Sequence, residues 1–148
     1  MPPGVRIAIV SDYYYPQLGG ITEHVHGQAT ELTRRGHDVT LVTPRVTVRP
    51  STATEEALPP RTFKLERMAR AWPFYANGSE TTVTLMSPAA RTRIQRLLSP
   101  ENFDVVHVHN PVGVCLPMAA SWWSRAPATV GTMHSVVPDG YRLLRATR

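Results

Sequence analysis

The chain has 148 residues, of which 42% are hydrophobic, and its formal net charge at pH 7 is +5. This length and composition are typical of one globular domain, and no apolar run is long enough for a membrane-spanning helix. Cys115 is the only cysteine, which excludes an intrachain disulfide and fits a reducing compartment. The first residues lack the charged and apolar regions of a signal peptide. We therefore expect a cytoplasmic location.

Arginine supplies nearly all of the positive charge. Such a charge balance suits an anionic membrane surface or a nucleic acid as partner. It also arises from arginine-rich genome composition, and this alternative stays open at this point. The sequence contains no zinc-finger spacing and no aromatic–basic nucleic-acid motif. We therefore expect no nucleic-acid partner.

The first forty residues have the pattern of a strand, a helix and a second strand. Residues 6–11 read RIAIVS, a short β-branched run typical of a strand buried on both faces of a parallel sheet. In residues 20–35 the apolar side chains recur every three or four positions, as on one face of a helix, and Gly36 follows as a stop signal. Residues 38–43, DVTLVT, then form a second strand, so the segment is a βαβ unit.

The rest of the chain continues this alternation. Residues 44–60 are rich in Thr, Pro and Ser and predict a loop. Strands alternating with helices predict an α/β protein with a Rossmann-like, doubly wound parallel sheet. In such sheets ligands bind at the carboxyl ends of the strands, near the point where the strand order reverses. The further elements are predicted as strands at 71–75, 81–86, 104–109 and 128–134, and helices at 88–98 and 112–124.

Gly19 and Gly20 stand between the first strand and the first helix. Glycine lets the backbone approach a ligand closely, and the N–H groups at a helix start favour an anion such as phosphate. The alternative is a plain tight turn. The spacing does not fit the dinucleotide fingerprint, and no lysine follows as in a P-loop. This argues against a nicotinamide enzyme and against an ATPase.

Histidines stand at the ends of two predicted strands. His107 and His109 lie two apart on one strand and therefore point to the same side. They could form half of a metal site, but no further ligands with suitable spacing appear, so we predict no metal and expect one of them to face the cleft. His24 and His26 are also two apart, but on a helix, where they do not face each other. His134 ends the last strand, where a titratable group reaches the ligand cleft.

Two further segments offer surface groups. Residues 75–79, YANGS, form a turn signal by composition. Arg91, Arg93 and Arg96 lie on or near the polar face of the 88–98 helix. This face suits either anionic lipid headgroups or plain solvation, and both interpretations stay open.

Several blocks together resemble a known family. The segment RIAIVSDYYYPQLGGITEHVHGQATELTRRGHDVTLVTP is similar to the opening of the retaining GT-B glycosyltransferases of the group 1, or family 4, type. Their pattern has a proline and Gly-Gly before the first helix, then a GH-x-V block and a proline, which residues 36–39 and Pro44 match. FDVVHVHNP and VGTMHS match two further blocks in order. The matching blocks span nearly the whole chain.

The resemblance implies roles for single residues. Gly19 and Gly20 match a loop beside the diphosphate of a nucleotide-sugar donor, and His134 matches a catalytic cleft histidine that contacts the transferred sugar. The helix with Arg91, Arg93 and Arg96 matches a membrane-docking helix in members that glycosylate a lipid. The residues that match the acceptor side in those members are Tyr13, Thr22, Asn77, Ser79 and His109.

The resemblance also implies an activity. GT-B enzymes of this type transfer a hexose, with mannose as one candidate here, from a nucleotide sugar to a lipid or glycan, and they need no metal or other cofactor. They have two Rossmann-like domains, so we expect residues 1–148 to be an N-terminal, acceptor-side domain, incomplete at its C-terminal end. The donor-binding domain is then absent and this chain alone inactive. A peripheral position on the inner face of the plasma membrane follows from the arginine helix. The alternative is a non-catalytic module that complements a separate donor-binding domain.

Overall fold

The computed structural model describes residues 4–46, 59–76, 79–84 and 87–134. Within these residues the strands and helices follow one another in the order that the sequence predicts. The predicted acceptor-side residue Asn77 falls outside the described residues, as does most of the predicted loop at 44–60. The elements are β1 Arg6–Val10, α1 Gly20–Arg34, β2 Asp38–Val46, β3 Lys64–Ala76, β4 Ser79–Thr84, α2 Pro88–Leu97, β5 Val105–His109, α3 Leu116–Trp123 and β6 Ala128–Thr132.

One six-stranded sheet organises the described residues, with the strand order β4-β3-β2-β1-β5-β6. All neighbouring strands pair in parallel except β3 and β4, which are antiparallel. Only two residues separate β3 from β4 in the sequence, too few for the crossover that a parallel pair needs. The predicted α/β fold is confirmed, and the sheet is mostly rather than entirely parallel. The strand order reverses between β1 and β5.

Alternate residues of β1 pack into two separate cores. On one face Ile7 and Ile9 pack in the same cluster as Val25 of α1. On the other face Ala8 and Val10 pack in a cluster that α2 and α3 cover. Because successive side chains of a strand point to opposite faces, a continuous apolar strand requires helices on both sides. The sheet is therefore doubly wound, as predicted.

β3 and α3 differ most from their predicted bounds, each for a local reason, and β2 continues to Val46, beyond its predicted end at residue 43 and into the predicted loop. β3 covers Lys64–Ala76 rather than residues 71–75. Ala69 has φ 60°, and the register with β2 shifts near this point, so the alternation that marks a strand is broken. α3 begins at Leu116 rather than at residue 112. Pro117 occupies its first turn, where the missing N–H costs nothing.

A buried carboxyl group joins three parts of the fold. Asp12 follows β1 and is only 6% exposed. Its Oδ1 accepts the backbone N–H of Leu116 at 3.1 Å and the hydroxyl of Thr84 at 3.5 Å. Burial raises the pKa of Asp12 to about 7, although these hydrogen bonds act in the opposite direction. The segment after β1 is thus fixed to the start of α3 and the end of β4.

This burial predicts a pH dependence of stability that Asp12→Asn should remove. The pKa of Asp12 is about 7 in the folded chain against an ordinary 3.8. Between these values the folded chain holds a proton that the unfolded chain releases, so the free energy of unfolding falls as the pH rises. The asparagine variant keeps an oxygen for the Leu116 N–H but has no proton to lose. Urea unfolding at several pH values between 4 and 7.5 measures how the free energy of unfolding of the wild type and of the variant depends on pH.

The comparison isolates Asp12 because all other titrating groups are common to the two chains. We expect the wild-type stability, relative to that of the variant, to decrease steadily over this range. Parallel curves for the two chains would show that the Asp12 carboxyl has an ordinary pKa in the folded state.

Candidate functional site

The candidate site lies where the carboxyl ends of β1, β5 and β6 meet. The strand order reverses between β1 and β5, and ligands of open α/β sheets bind at such a point. Three segments converge there: the loop that joins β1 to α1, the end of β5 at His109, and the residues that follow β6, including His134. The position agrees with the edge that the sequence predicts.

The three tyrosines after β1 have different environments. Tyr14 and Tyr15 are 1% and 7% exposed and pack in the core on the α1 side of the sheet. The Tyr14 hydroxyl lies 3.0 Å from Nδ1 of His26, and the Tyr15 hydroxyl donates to the carboxylate of Glu23, which raises the pKa of Tyr15 to about 12. Tyr13 is half-buried, and its backbone N–H donates to the Ser11 hydroxyl at 3.2 Å. Two of the tyrosines therefore fix the loop, and Tyr13 is the more exposed one.

Gly19 and Gly20 are exposed at the start of α1. Gly19 is the N-cap, its φ and ψ of 166° and 165° are extended values open to any residue, and no side chain caps the helix. A Cβ atom added at either glycine meets nothing within 4 Å. Neither backbone conformation nor packing therefore requires glycine here, which argues against the plain tight turn. The space above the helix start is open to a ligand.

Thr22 bonds the first turn of α1 to the loop that precedes it. Its side chain is only 1% exposed, and its hydroxyl donates to the backbone carbonyl of Gln17 at 2.9 Å. The first intrahelical bond of α1 runs from the Glu23 N–H to the Gly19 carbonyl at 3.1 Å, so the N–H groups of residues 20–22 precede it. Thr22 positions these groups, and its contact with an acceptor stays a prediction.

Histidines from three elements form a cluster beside the helix start. We call His24, His107, His109 and His134 the histidine cluster. Nδ1 of His109 lies 2.8 Å from Nε2 of His134, which joins the end of β5 to the segment after β6. The ring of His24 lies 5.7 Å from that of His109 and 5.1 Å from that of His134, between ring centroids. His107 bonds Thr132 at 2.7 Å through Nε2.

The sequence predicts only part of this cluster. His107 and His109 do share one face of β5, with ring centroids 4.4 Å apart, as their spacing indicates. His109 is 1% exposed, so its predicted contact with the acceptor stays untested and its visible partner is His134. His24 is a site residue that the sequence does not predict. It lies four residues before Gln28 and therefore on the same face of α1. The Gln28 amide nitrogen is 3.3 Å from Nδ1 of His107, so this spacing is the feature of the sequence that points to His24 as a site residue.

Burial keeps three imidazoles of the cluster neutral, those of His107, His109 and His134. It lowers the pKa of His109 to about 3, and the neighbouring histidines add to this effect. Burial likewise lowers the pKa of His107 and of His134 below the usual range. Nε2 of His109 is buried and has no hydrogen-bond partner among the described residues. These three imidazoles therefore offer hydrogen bonds and lone pairs at neutral pH.

Three of these histidines also satisfy the distance requirement for a shared metal ion. His24, His109 and His134 each present one ring nitrogen, and these nitrogens lie within 4.8 Å of one another. His24 is exposed, His109 is buried and His134 is half-buried. Nothing in the sequence pattern combines these three residues, because α1, β5 and the segment after β6 are far apart in the chain.

The other predicted site residues lie away from the cluster or outside the described residues. Ser79 begins β4, but its side chain, like all of Asn77, is outside the described residues. Arg91, Arg93 and Arg96 are exposed on α2. The Arg93 guanidinium pairs with Glu66 at 3.0 Å, and the Arg91 guanidinium carbon lies 5.7 Å from the ring centroid of Trp123. None of the helices in the described ranges combines the length and apolarity needed to cross a bilayer.

Sequence comparisons relate the chain to known proteins. The sequence model of the family described as Glycosyltransferase Family 4 matches residues 18–148. The chain is 32% identical over 136 residues to a phosphatidyl-myo-inositol mannosyltransferase of Propionibacterium freudenreichii, covering 91% of the chain and 34% of that protein. It is 30% identical over 131 residues to the protein of the same name from Mycobacterium leprae, covering 88% and 32%.

A plant protein extends the comparison. The chain is 28% identical over 109 residues to a component of the phosphatidylinositol N-acetylglucosaminyltransferase of Arabidopsis thaliana, covering 73% of the chain and 22% of that protein. The chain thus spans about a third of the length of the two bacterial relatives, and less of the plant protein.

The glycine pair allows a test with an internal control. Gly20→Ala should leave the free energy of unfolding within about 1 kcal/mol of wild type or raise it, because alanine favours helix and its Cβ meets no atom. Gly36→Ala should lower it by about 1–2 kcal/mol, because the φ of Gly36 is 90°. Urea unfolding of the two variants measures both changes. An equal loss of unfolding free energy in both variants would indicate that the glycine pair forms a structural turn.

Proposed function

The chain belongs to Glycosyltransferase Family 4, and we propose that it provides the acceptor-side cleft of a retaining hexosyltransferase that acts on a lipid. The observation that carries the proposal is the convergence of two features at one edge of the sheet. The uncapped start of α1 and the histidine cluster both lie where the strand order reverses. This convergence supports an anion site beside a group that hydrogen-bonds to a sugar.

The start of α1 is the proposed site for the donor diphosphate. The backbone N–H groups of residues 20–22 precede the first intrahelical bond, and no side chain caps them. A helix start of this kind favours negative charge. When the diphosphate leaves the sugar, charge develops on its oxygen, and fixed N–H groups stabilise that charge without rearranging. The acceptor hydroxyl then attacks from the same face of the sugar, as retention requires.

His134 is the proposed contact with the transferred sugar. Its Nε2 is hydrogen-bonded to Nδ1 of His109, so one of these two nitrogens carries the proton and the other accepts it. This bond fixes the ring of His134 and leaves its Nδ1 for a ligand. Because burial lowers the pKa of His134, the ring is neutral and offers a hydrogen bond rather than a permanent positive charge.

The proposed acceptor is a phosphatidylinositol-type lipid at a membrane surface. The names of the two mannosyltransferases and of the plant protein each specify a phosphatidylinositol acceptor. Tyr13, more exposed than Tyr14 and Tyr15, lies with Gly19 in the segment that joins β1 to α1 and is the proposed contact with the headgroup. The exposed arginines of α2 are the proposed contacts with anionic lipid, which places the protein peripherally on the inner face of the plasma membrane.

A chimera tests the transfer reaction. In the Propionibacterium freudenreichii relative, the third of the sequence that matches this chain is replaced by this chain. We expect hexose transfer from a nucleotide sugar to phosphatidylinositol, measured across a panel of labelled donors. His134→Ala in the chimera should lower kcat by at least about 100-fold, the contribution of one positioned hydrogen-bonding or proton-transfer group.

His37→Gln is the matched control, because His37 precedes β2 and therefore lies at the opposite edge of the sheet from the site. It should leave kcat unchanged. A folded chimera whose His134→Ala and His37→Gln variants both transfer hexose at the parent rate would contradict the role of His134. A folded chimera with no transfer from any donor would contradict the proposed activity.

Vesicle binding tests the acceptor and the membrane surface separately. The chain is titrated with vesicles that contain phosphatidylinositol or phosphatidylglycerol at equal negative charge. We expect tighter binding to phosphatidylinositol, and Tyr13→Ala should remove this preference. Replacing Arg91, Arg93 and Arg96 together by glutamine should weaken binding to both lipids, because the attraction of basic groups to anionic lipid does not depend on the headgroup. Equal binding of the wild-type chain to both lipids, unaffected by salt, would contradict both parts.

A further inference from the structure

Three imidazole rings face one another at the site, those of His24, His109 and His134. The proposed reaction does not use the three together. We propose that these residues bind one divalent transition-metal ion, with Zn²⁺ as the metal that fits. The site joins α1 to the carboxyl ends of β5 and β6. The proposal rests on the arrangement of the three rings and does not depend on the proposed hexose transfer.

The distances suit a shared ion. One ring nitrogen from each of the three histidines lies within 4.8 Å of the others. Four-coordinate zinc with Zn–N bonds of about 2.0–2.1 Å holds its ligand nitrogens about 3.4 Å apart. This value falls between the 2.8 Å of the His109–His134 hydrogen bond and the upper limit of the cluster. A small opening of that bond and a small inward movement of His24 therefore bring the three nitrogens to the distances that zinc coordination requires.

The environments of the three histidines allow this change in their positions. His24 is exposed on α1, so its side chain is able to reorient without disturbing the core. His109 is held in place by burial, and its Nδ1 faces Nε2 of His134. His107 is not part of the set, because both of its nitrogens are engaged by Gln28 and Thr132.

The chemistry of the ligands selects the metal. Imidazole nitrogen suits zinc and neighbouring transition metals, whereas Mg²⁺ and Ca²⁺ prefer oxygen ligands. Three protein ligands leave the fourth position of a tetrahedral zinc ion open to water or another ligand. The family resemblance implies a transfer reaction that needs no metal. The proposed zinc site does not conflict with this, because it needs no catalytic role.

Metal binding has a direct consequence for stability. The three histidines come from α1, the end of β5 and the segment after β6, so one ion would tie these parts together. An ion that binds the folded chain more tightly than the unfolded chain raises the stability of the fold. Zinc should therefore raise the thermal midpoint Tm of the chain, and magnesium should not.

The test uses the 148-residue chain without an affinity tag, at pH 7.5. Calorimetric titration with Zn²⁺ should saturate at one ion per chain, and thermal unfolding should show a higher Tm with Zn²⁺ than with Mg²⁺. His24→Ala should keep the fold, because His24 is exposed. It should weaken zinc binding by more than about tenfold, since removing even an outer partner of a metal ligand has an effect of this size. The zinc-dependent rise in Tm should then be lost.

His26→Gln is the matched control on the same helix. His26 lies near the Tyr14 hydroxyl and is not among the three ligands, so this variant should bind zinc like the wild type. Co²⁺ gives a second readout, because four-coordinate cobalt has a visible spectrum that His24→Ala should abolish. Absence of zinc binding, or equal zinc affinity in the wild type and His24→Ala, would overturn the proposal. A loss of affinity in His26→Gln as large as in His24→Ala would also overturn it, by showing that zinc binds surface histidines in general.

Discussion

Burial of β1 on both faces is the constraint on which the rest of this structure depends. Its alternate side chains enter two different cores, one closed by α1 and the other by α2 and α3. Because both faces must be covered, the helices cannot all lie on one side of the sheet. The strand order therefore reverses beside β1. That change brings the ends of β1 and β5 together. The candidate site is thus a consequence of how the sheet is covered.

α1 contributes to the core and to the site at the same time. Val25 and Ala29 pack against the sheet, whereas His24 and Gln28, each one position earlier, approach the histidines of β5. Packing the helix therefore also brings its polar residues to His107 and the end of β5. The low pKa of His107 and of His109 follows from the same packing, since burial disfavours their charged forms. Fold stability and site chemistry are coupled through one helix.

The elements with an undisturbed pattern were predictable from the sequence. The α/β class is confirmed, and so are β1, α1 and β5 at nearly the predicted positions. β3 was underestimated because its alternation breaks near Ala69, and α3 was predicted to start too early because apolar residues precede Pro117. The position of the site at the strand ends was also predictable, because all parallel strands of a sheet end at the same edge. The extended conformation of Gly19, which argues against a plain tight turn, was not predictable.

By itself the sequence determined the family, the alternation of strands and helices, and the common face of His107 and His109. These depend on local spacing, which a single chain displays directly. Only the tertiary structure decided that two of the three tyrosines are buried and that Thr22 lies under the loop. It alone brought His24 to His134, because their approach depends on how α1 packs and on which strand β6 pairs with. Residues so distant in the chain meet only through the sheet that lies between them.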